Sequence, residues 1–160
     1  MYVEYGPIKL VITADDKGIT HIDYVKEQPM EENNESIQAK AHLTLAKNEL
    51  QAYFSNQLVS FTVPIHLTTG TAFQQKVWHA LQEIPYGTVV SYQDVAKMID
   101  SPKAQQAVGQ ANKRNPLPII IPCHRVIGKN NQLVGYSGSR DEGLVIKQFL
   151  LDIENKQKRV

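Results

Sequence analysis

Apolar and polar positions first alternate with a period of two. Ile8, Leu10 and Ile12 fall on every second place from Pro7 to Thr13, the spacing of a half-buried strand. Asp15-Asp16-Lys17-Gly18 reads as a turn, and residues 19–24 supply a hairpin partner in which Ile19, His21 and Asp23 face away from Ile22 and Tyr24. Residues 27–35 are polar and read as an exposed loop. Ser36 then caps a helix running to about Ser55, with Ile37, Ala41, Leu45, Leu50, Tyr53 and Phe54 as its apolar side. Phe61, Val63 and Ile65 alternate again as a strand. Beyond Thr71 the period becomes helical, with Phe73, Val77, Ala80, Leu81 and Ile84 on one face, and Pro85-Tyr86-Gly87 ends it. Ser91-Tyr92-Gln93-Asp94 has the form of a capping box opening a helix through Val95 and Met98. Asp100-Ser101-Pro102 stops that helix and starts another, with Ser101 as cap and Pro102 at the first helical position. Ala104, Ala107, Val108 and Ala111 follow, up to about Asn115. Two short helices joined by a tight turn form a helix-turn-helix. The pattern therefore predicts an α/β domain over residues 1–70 and a mainly helical domain over residues 71–160, α+β overall.

At 42% hydrophobic and 21% charged, the 160-residue chain has the composition of a soluble globular protein. No apolar run approaches the roughly 20 residues of a membrane span, so no membrane partner is expected. The opening MYVEYGPIKL lacks the basic-then-apolar order of a secretory signal. A lone cysteine, Cys123, excludes an internal disulfide and a cysteine-rich zinc site, and points to the reducing cytoplasm. His21, His42, His66, His79 and His124 are too scattered for a ligand set, and no glycine-rich phosphate cradle occurs. Neither a metal nor a cofactor is expected. The net charge of +1 hides an asymmetry: residues 1–70 sum to −4, residues 71–160 to +5. From Lys103 to Arg140 there are six basic residues and no acid, which suits a polyanion-facing surface or plain solvation.

The second helix of the pair interleaves small Ala104, Ala107, Gly109 and Ala111 with Gln105, Gln106, Gln110 and Asn112. Small residues allow close approach to a neighbouring surface, and amides can hydrogen-bond nucleic acid or merely be solvated. Next comes NPLPIIIPCHRV, residues 115–126, in which the isoleucines read as a buried strand or core segment ended by Pro122. A cysteine delivered there can be a nucleophile in a fixed pocket or a small buried hydrophobe. A free thiol ionises near pH 8.5, so only about a tenth is thiolate at pH 7.5 and a basic neighbour matters. His124 follows directly, and would act through a water or a local turn.

NPLPIIIPCHRV resembles the active-site signature of the O6-alkylguanine-DNA alkyltransferases (methylated-DNA–protein-cysteine methyltransferases). PYGTVVSYQDVA, SPKAQQAVGQANKRNP, GYSG and FLLDIE match further segments in order, from about Phe73 to Glu154. The resemblance implies a ribonuclease-H-like α/β domain followed by a helix-turn-helix domain that binds the minor groove and flips the damaged guanine. It implies Cys123 as alkyl acceptor, His124 as base and Glu154 as the carboxylate that orients the histidine. Tyr92 would rotate the phosphate and donate to the departing base, and Asn115 would brace the hinge before the active-site segment. DNA contacts would come from Ser91, Tyr92, Lys103, Ala104, Gln105, Gln106, Ala107, Gly109, Gln110, Lys113, Arg114, Arg125 and Lys129. The base pocket would be lined by Tyr92, Val126, Tyr136, Ser137 and Gly138. The partner is double-stranded DNA carrying O6-alkylguanine, met by a monomer, with O4-alkylthymine and cooperative assembly left open. Two departures stand out: Gln106 replaces the family's intercalating arginine, and residues 138–143 form a longer loop, either shaping the pocket or inserted at the surface.

Each molecule would act once, because a thioether is not readily hydrolysed. Three other classes share some features. A lesion-binding protein without transfer activity would not need Cys123. A helix-turn-helix regulator would leave it inert. A cysteine hydrolase would need direct histidine contact, an oxyanion hole and repeated turnover.

Overall fold

Three antiparallel strands, β1 (Tyr2–Tyr5), β2 (Ile8–Ala14) and β3 (Ile19–Tyr24), form a sheet in the order β1-β2-β3, paired through Val3↔Leu10 and Ile12↔Ile22. The computed structural model describes residues 1–128 and 140–158, and the chain divides into the units Met1–Thr68 and Thr69–Val160. In the first unit Val3, Ile8, Leu10, Ile12 and Ile22 are buried on the sheet that packs with α1 (Ile37–Phe54). Ile19 is buried too, where the register shifts between Thr13 and Ala14 and Ile19 bridges Ile65. Ser36 caps this helix by accepting from the Ala39 amide at 3.1 Å. The buried side of α1 carries Leu50, Tyr53 and Phe54 as the sequence suggests, but differs in the first half of the helix. Ile37, Ala41 and Leu45 are exposed, while Ala39, Leu43, Ala46 and Leu50 face the sheet. Glu49 is buried on the same side, where its carboxylate accepts from the amides of Thr62 and Val63 and from the Thr62 hydroxyl. Residues 61–65 make one bridge, Ile19↔Ile65, instead of a strand, since Pro64 has no amide to donate.

The second unit opens on Thr71, which with Gln74 builds a capping box for α2 (Ala72–Gln82). Gly70, at φ 100°, lies where a Cβ would sit 2.4 Å from the Trp78 ring. Trp78 in turn donates to the Ala111 carbonyl at 2.8 Å, fastening α2 to α4. β4 (Val90–Ser91) leads into α3 (Tyr92–Met98), capped by the expected Ser91/Asp94 box. α4 (Gln105–Lys113) begins later than the sequence suggests. Asp100 takes a left-handed φ of 57°, and Ser101–Ala104 form a turn closed by Ala104 N–H on the Ser101 carbonyl. The isoleucine run is a buried core segment but not a strand. Ile119 has φ 76°, and the Ile121 amide folds back onto the Leu117 carbonyl at 2.8 Å. A 3-10 turn, Cys123–Arg125, follows, and β5 (Val126–Ile127) pairs in parallel with β4. α5 (Arg140–Lys158) packs on that turn and buries Leu150 and Ile153. The architecture is α+β, a small sheet domain followed by a helical domain containing the α3-turn-α4 motif. Among the described residues, no helix is long and apolar enough to cross a membrane.

Candidate active site

Pairing of β4 with β5 brings the start of α3, with Ser91 and Tyr92, beside the turn that carries Cys123. Asn115 shapes that turn from behind. Its Nδ2 donates to the Ile121 carbonyl at 2.8 Å and its Oδ1 accepts from the Leu117 amide at 2.9 Å, closing the loop that delivers Cys123. Cys123 is 2% exposed and His124 is fully buried. His124 Nε2 lies 2.6 Å from Glu154 Oε2, so the neutral ring carries its proton there and its lone pair on Nδ1. Burial pushes the His124 pKa down, with the Arg125 and Lys147 charges acting the same way against Glu154's opposing pull. Burial thus favours the neutral form of the ring.

Glu154 is the hub. Oε1 accepts from Arg125 Nε at 2.8 Å and the Gly87 amide at 3.2 Å, while Oε2 accepts from His124 and from Arg125 Nη2 at 3.1 Å. Burial alone would raise its pKa, but hydrogen bonds and charges from His124 and Arg125 outweigh it and hold the carboxyl below the usual carboxylate range. Arg125 was expected to face phosphate. It is instead buried at 7% exposure, donates to the Ile84 carbonyl at 2.7 Å and stacks over Tyr86 at 5.6 Å. Its adjacency to His124 on a tight turn, with Glu154 beneath both, makes it an internal counter-ion.

Lys147 escaped the sequence reading. It is fully buried on α5, and its ammonium donates to the Val126 carbonyl at 2.6 Å. Burial lowers its pKa to about 8, against an upward pull from the neighbouring Cys123 charge. A lysine that feels the thiolate also stabilises it. One signal was available: Gly143, Lys147, Leu150 and Glu154 follow four-three-four spacing, so two charges stand on the stripe that α5 turns inward.

Tyr92 is half-buried, and its hydroxyl pKa is pushed up to about 12 by burial and by the Cys123 charge, partly offset by the Asn112 side chain. It therefore remains a proton donor at any ordinary pH. On the outer side of α4, Gln106, Ala107, Gln110, Lys113 and Arg114 are exposed, as is Lys103 before it. Ala104, Gln105 and Gly109 are half-buried, and the half-buried Ser91 spends its hydroxyl on the α3 cap. Val126 is buried next to the turn. Lys129, Tyr136, Ser137 and Gly138 lie outside the described residues, as does Ser139. The expected 138–143 loop is shorter than the sequence suggests, because Arg140, Asp141, Glu142 and Gly143 already belong to the first turn of α5. No group of three metal-ligating side chains occurs among the described residues.

Residues 72–156 match the family model of the 6-O-methylguanine DNA methyltransferase DNA binding domain, and residues 3–67 match that of its ribonuclease-like domain. The chain belongs to the 6-O-methylguanine DNA methyltransferase family. It is 48% identical over 151 residues to the constitutive methylated-DNA–protein-cysteine methyltransferase of Bacillus subtilis, covering 91% of this chain and 88% of that one. Identity to the methylated-DNA–protein-cysteine methyltransferase of Methanosarcina acetivorans is 43% over 150 residues, covering 93% and 92%. Its fold resembles the crystal structure of Mycobacterium tuberculosis OGT in complex with DNA, with a TM-score of 0.82 at 36% identity over 98% of this chain and 92% of that one.

Proposed function

We propose that this protein repairs O6-alkylguanine in double-stranded DNA by moving the alkyl group to Cys123, once per molecule. The observation that carries the reading is the buried Cys123 beside Lys147, followed on the same turn by a neutral His124 held at 2.6 Å by Glu154. His124 Nδ1 accepts the thiol proton, directly or through a water, and the Lys147 charge favours the thiolate left behind. Sγ attacks the alkyl carbon in line as the bond from that carbon to O6 breaks. The electron pair passes into the guanine, and the Tyr92 hydroxyl donates toward its ring nitrogen. A thioether and an unmodified guanine result. No cofactor enters, and the protein works in the cytoplasm as a monomer.

Exposed Gln106, Ala107 and Gln110 make α4 the face that enters the minor groove, with Lys103, Lys113 and Arg114 toward phosphates. The test is intact mass and peptide mapping after mixing with excess O6-methylguanine duplex. One methyl group per protein, on Cys123, supports repair. Lesion binding with no mass gain would make it a sensor, and neither would leave a DNA regulator.

Two variants probe separate parts of this reading. Tyr92→Phe should fold normally and slow single-turnover transfer by about a hundredfold, the usual worth of a positioned proton donor. An unchanged rate would remove that role. Gln106→Arg adds a charged plane on the groove-facing side of α4 and should tighten binding to lesion duplex by about tenfold at low salt, read by anisotropy. Weaker binding would mean that glutamine is tuned to its place.

A further inference from the structure

Asn112 is a polar residue of α4 on the side turned away from the groove. It is 3% exposed, and its Nδ2 donates to the Cys123 carbonyl at 3.3 Å. Its Oδ1 is buried and has no hydrogen-bond partner among the described residues. The neighbouring Tyr92 ring lies over the same helix: a Cβ on Gly109 would meet Tyr92 Cδ1 at 4.0 Å. The Asn112 side chain also favours the ionised form of the Tyr92 hydroxyl. One amide thus touches the main chain of the proposed acceptor and the proposed proton donor, and it rides on the helix whose outer face carries Gln106 and Gln110.

We propose that Asn112 is a positioning residue for alkyl transfer, holding the Tyr92 hydroxyl and the Cys123 main chain in one frame with the recognition helix. An orphaned buried acceptor costs stability, and native proteins keep such groups chiefly where they serve a site. A leucine at the same place would remove that orphan and fill a similar volume. If Asn112 were only a packing element, such an exchange would leave the chemistry alone. As a positioning group, it loses rate without losing fold.

Asn112 can act so only if Cys123 takes up the alkyl group, as proposed above, and the experiment separates the two ideas. Single-turnover methyl transfer is measured at saturating O6-methylguanine duplex for the wild-type protein, Asn112→Leu, Tyr92→Phe and the double variant, with duplex affinity and Tm for each. The expected result is that Asn112→Leu slows transfer by about tenfold with affinity and Tm nearly unchanged, since small displacements at a reacting centre carry such losses. In the Tyr92→Phe background the same exchange should change the rate less than about twofold, as coupled residues are non-additive. Equal slowing in both backgrounds, or none in either, overturns the positioning role, and so does a Tyr92→Phe protein of full rate. If Asn112→Leu does not fold, Asn112→Ala is read in the same cycle with the same criteria. No transfer by the wild-type protein would instead overturn the repair reading.

Discussion

Glu154→Gln should unfold well below the parent protein and lose most of its transfer rate. The carboxylate closes four hydrogen bonds, to His124, to two guanidinium nitrogens of Arg125 and to the Gly87 amide. Glutamine keeps the shape but removes the charge, leaving the Arg125 guanidinium buried at 7% exposure without a counter-ion. Breaking a buried pair on one side costs about 3–5 kcal/mol. For a chain of this length that corresponds to a Tm lower by roughly 10 °C. The rate suffers separately. Glutamine keeps a single accepting oxygen, so its NH2 must face either His124 Nε2 and Arg125 Nη2 or Arg125 Nε and the Gly87 amide, donor against donor. The carboxylate charge that supports a proton on His124 is gone in both orientations. A variant of unchanged Tm and rate would reduce Glu154 to a surface-like carboxylate. The pH dependence has a definite sign: a folded pKa held below the usual range gives stability that is complete above the unfolded value, near 4.3, and lost as pH falls below it. Glu154→Gln should flatten that acid limb, as read by thermal melts between about pH 3 and 6.

How far these features were legible depended on how local each determinant is. The caps at Ser36 and Ser91 were readable because a capping residue and its target lie within three positions of each other, and both form as the residue types suggest. In α1 the inward Leu50, Tyr53 and Phe54 were readable, but the exposure of Ile37, Ala41 and Leu45 and the burial of Glu49 were not, the latter because Glu49 finds its partners at Thr62 and Val63, beyond the helix. The same reason hid the role of Arg125. A basic residue after a histidine looks like a phosphate contact until Glu154 arrives from α5. Cys123, His124 and Glu154 came from resemblance, since spacing alone left the cysteine open between nucleophile and packing. Ile119, with φ 76°, breaks the strand pattern of its neighbours through a backbone state that β-branched residues rarely adopt. Asn112 was visible only as one amide among several, because its helix face depends on how α4 packs.

Cys123→Ser should abolish transfer while preserving lesion binding, the largest effect expected of any single exchange here. Serine differs from cysteine by one atom, so the 3-10 turn and the Asn115 brace should survive. The hydroxyl sits where a thiol was 2% exposed, and an imperfectly bonded buried hydroxyl costs about 1–3 kcal/mol, too little to unfold a protein of ordinary stability. The chemistry is less forgiving. His124 and the Lys147 charge suit a thiol, whose ordinary pKa of about 8.5 is within their reach, whereas an alcohol ionises far beyond the reach of either. Nothing else on the turn replaces the thiolate, since His124 is committed to Glu154 and Arg125 is held by Glu154 and Ile84. Intact mass should therefore show no methyl gain after prolonged exposure to O6-methylguanine duplex, with the duplex Kd within about threefold of the parent, because the groove face on α4 is unaltered. Methylated serine at the parent rate would refute Cys123 as the nucleophile. Loss of lesion preference with unmodified duplex still bound would mean that the sulfur itself reads the flipped base.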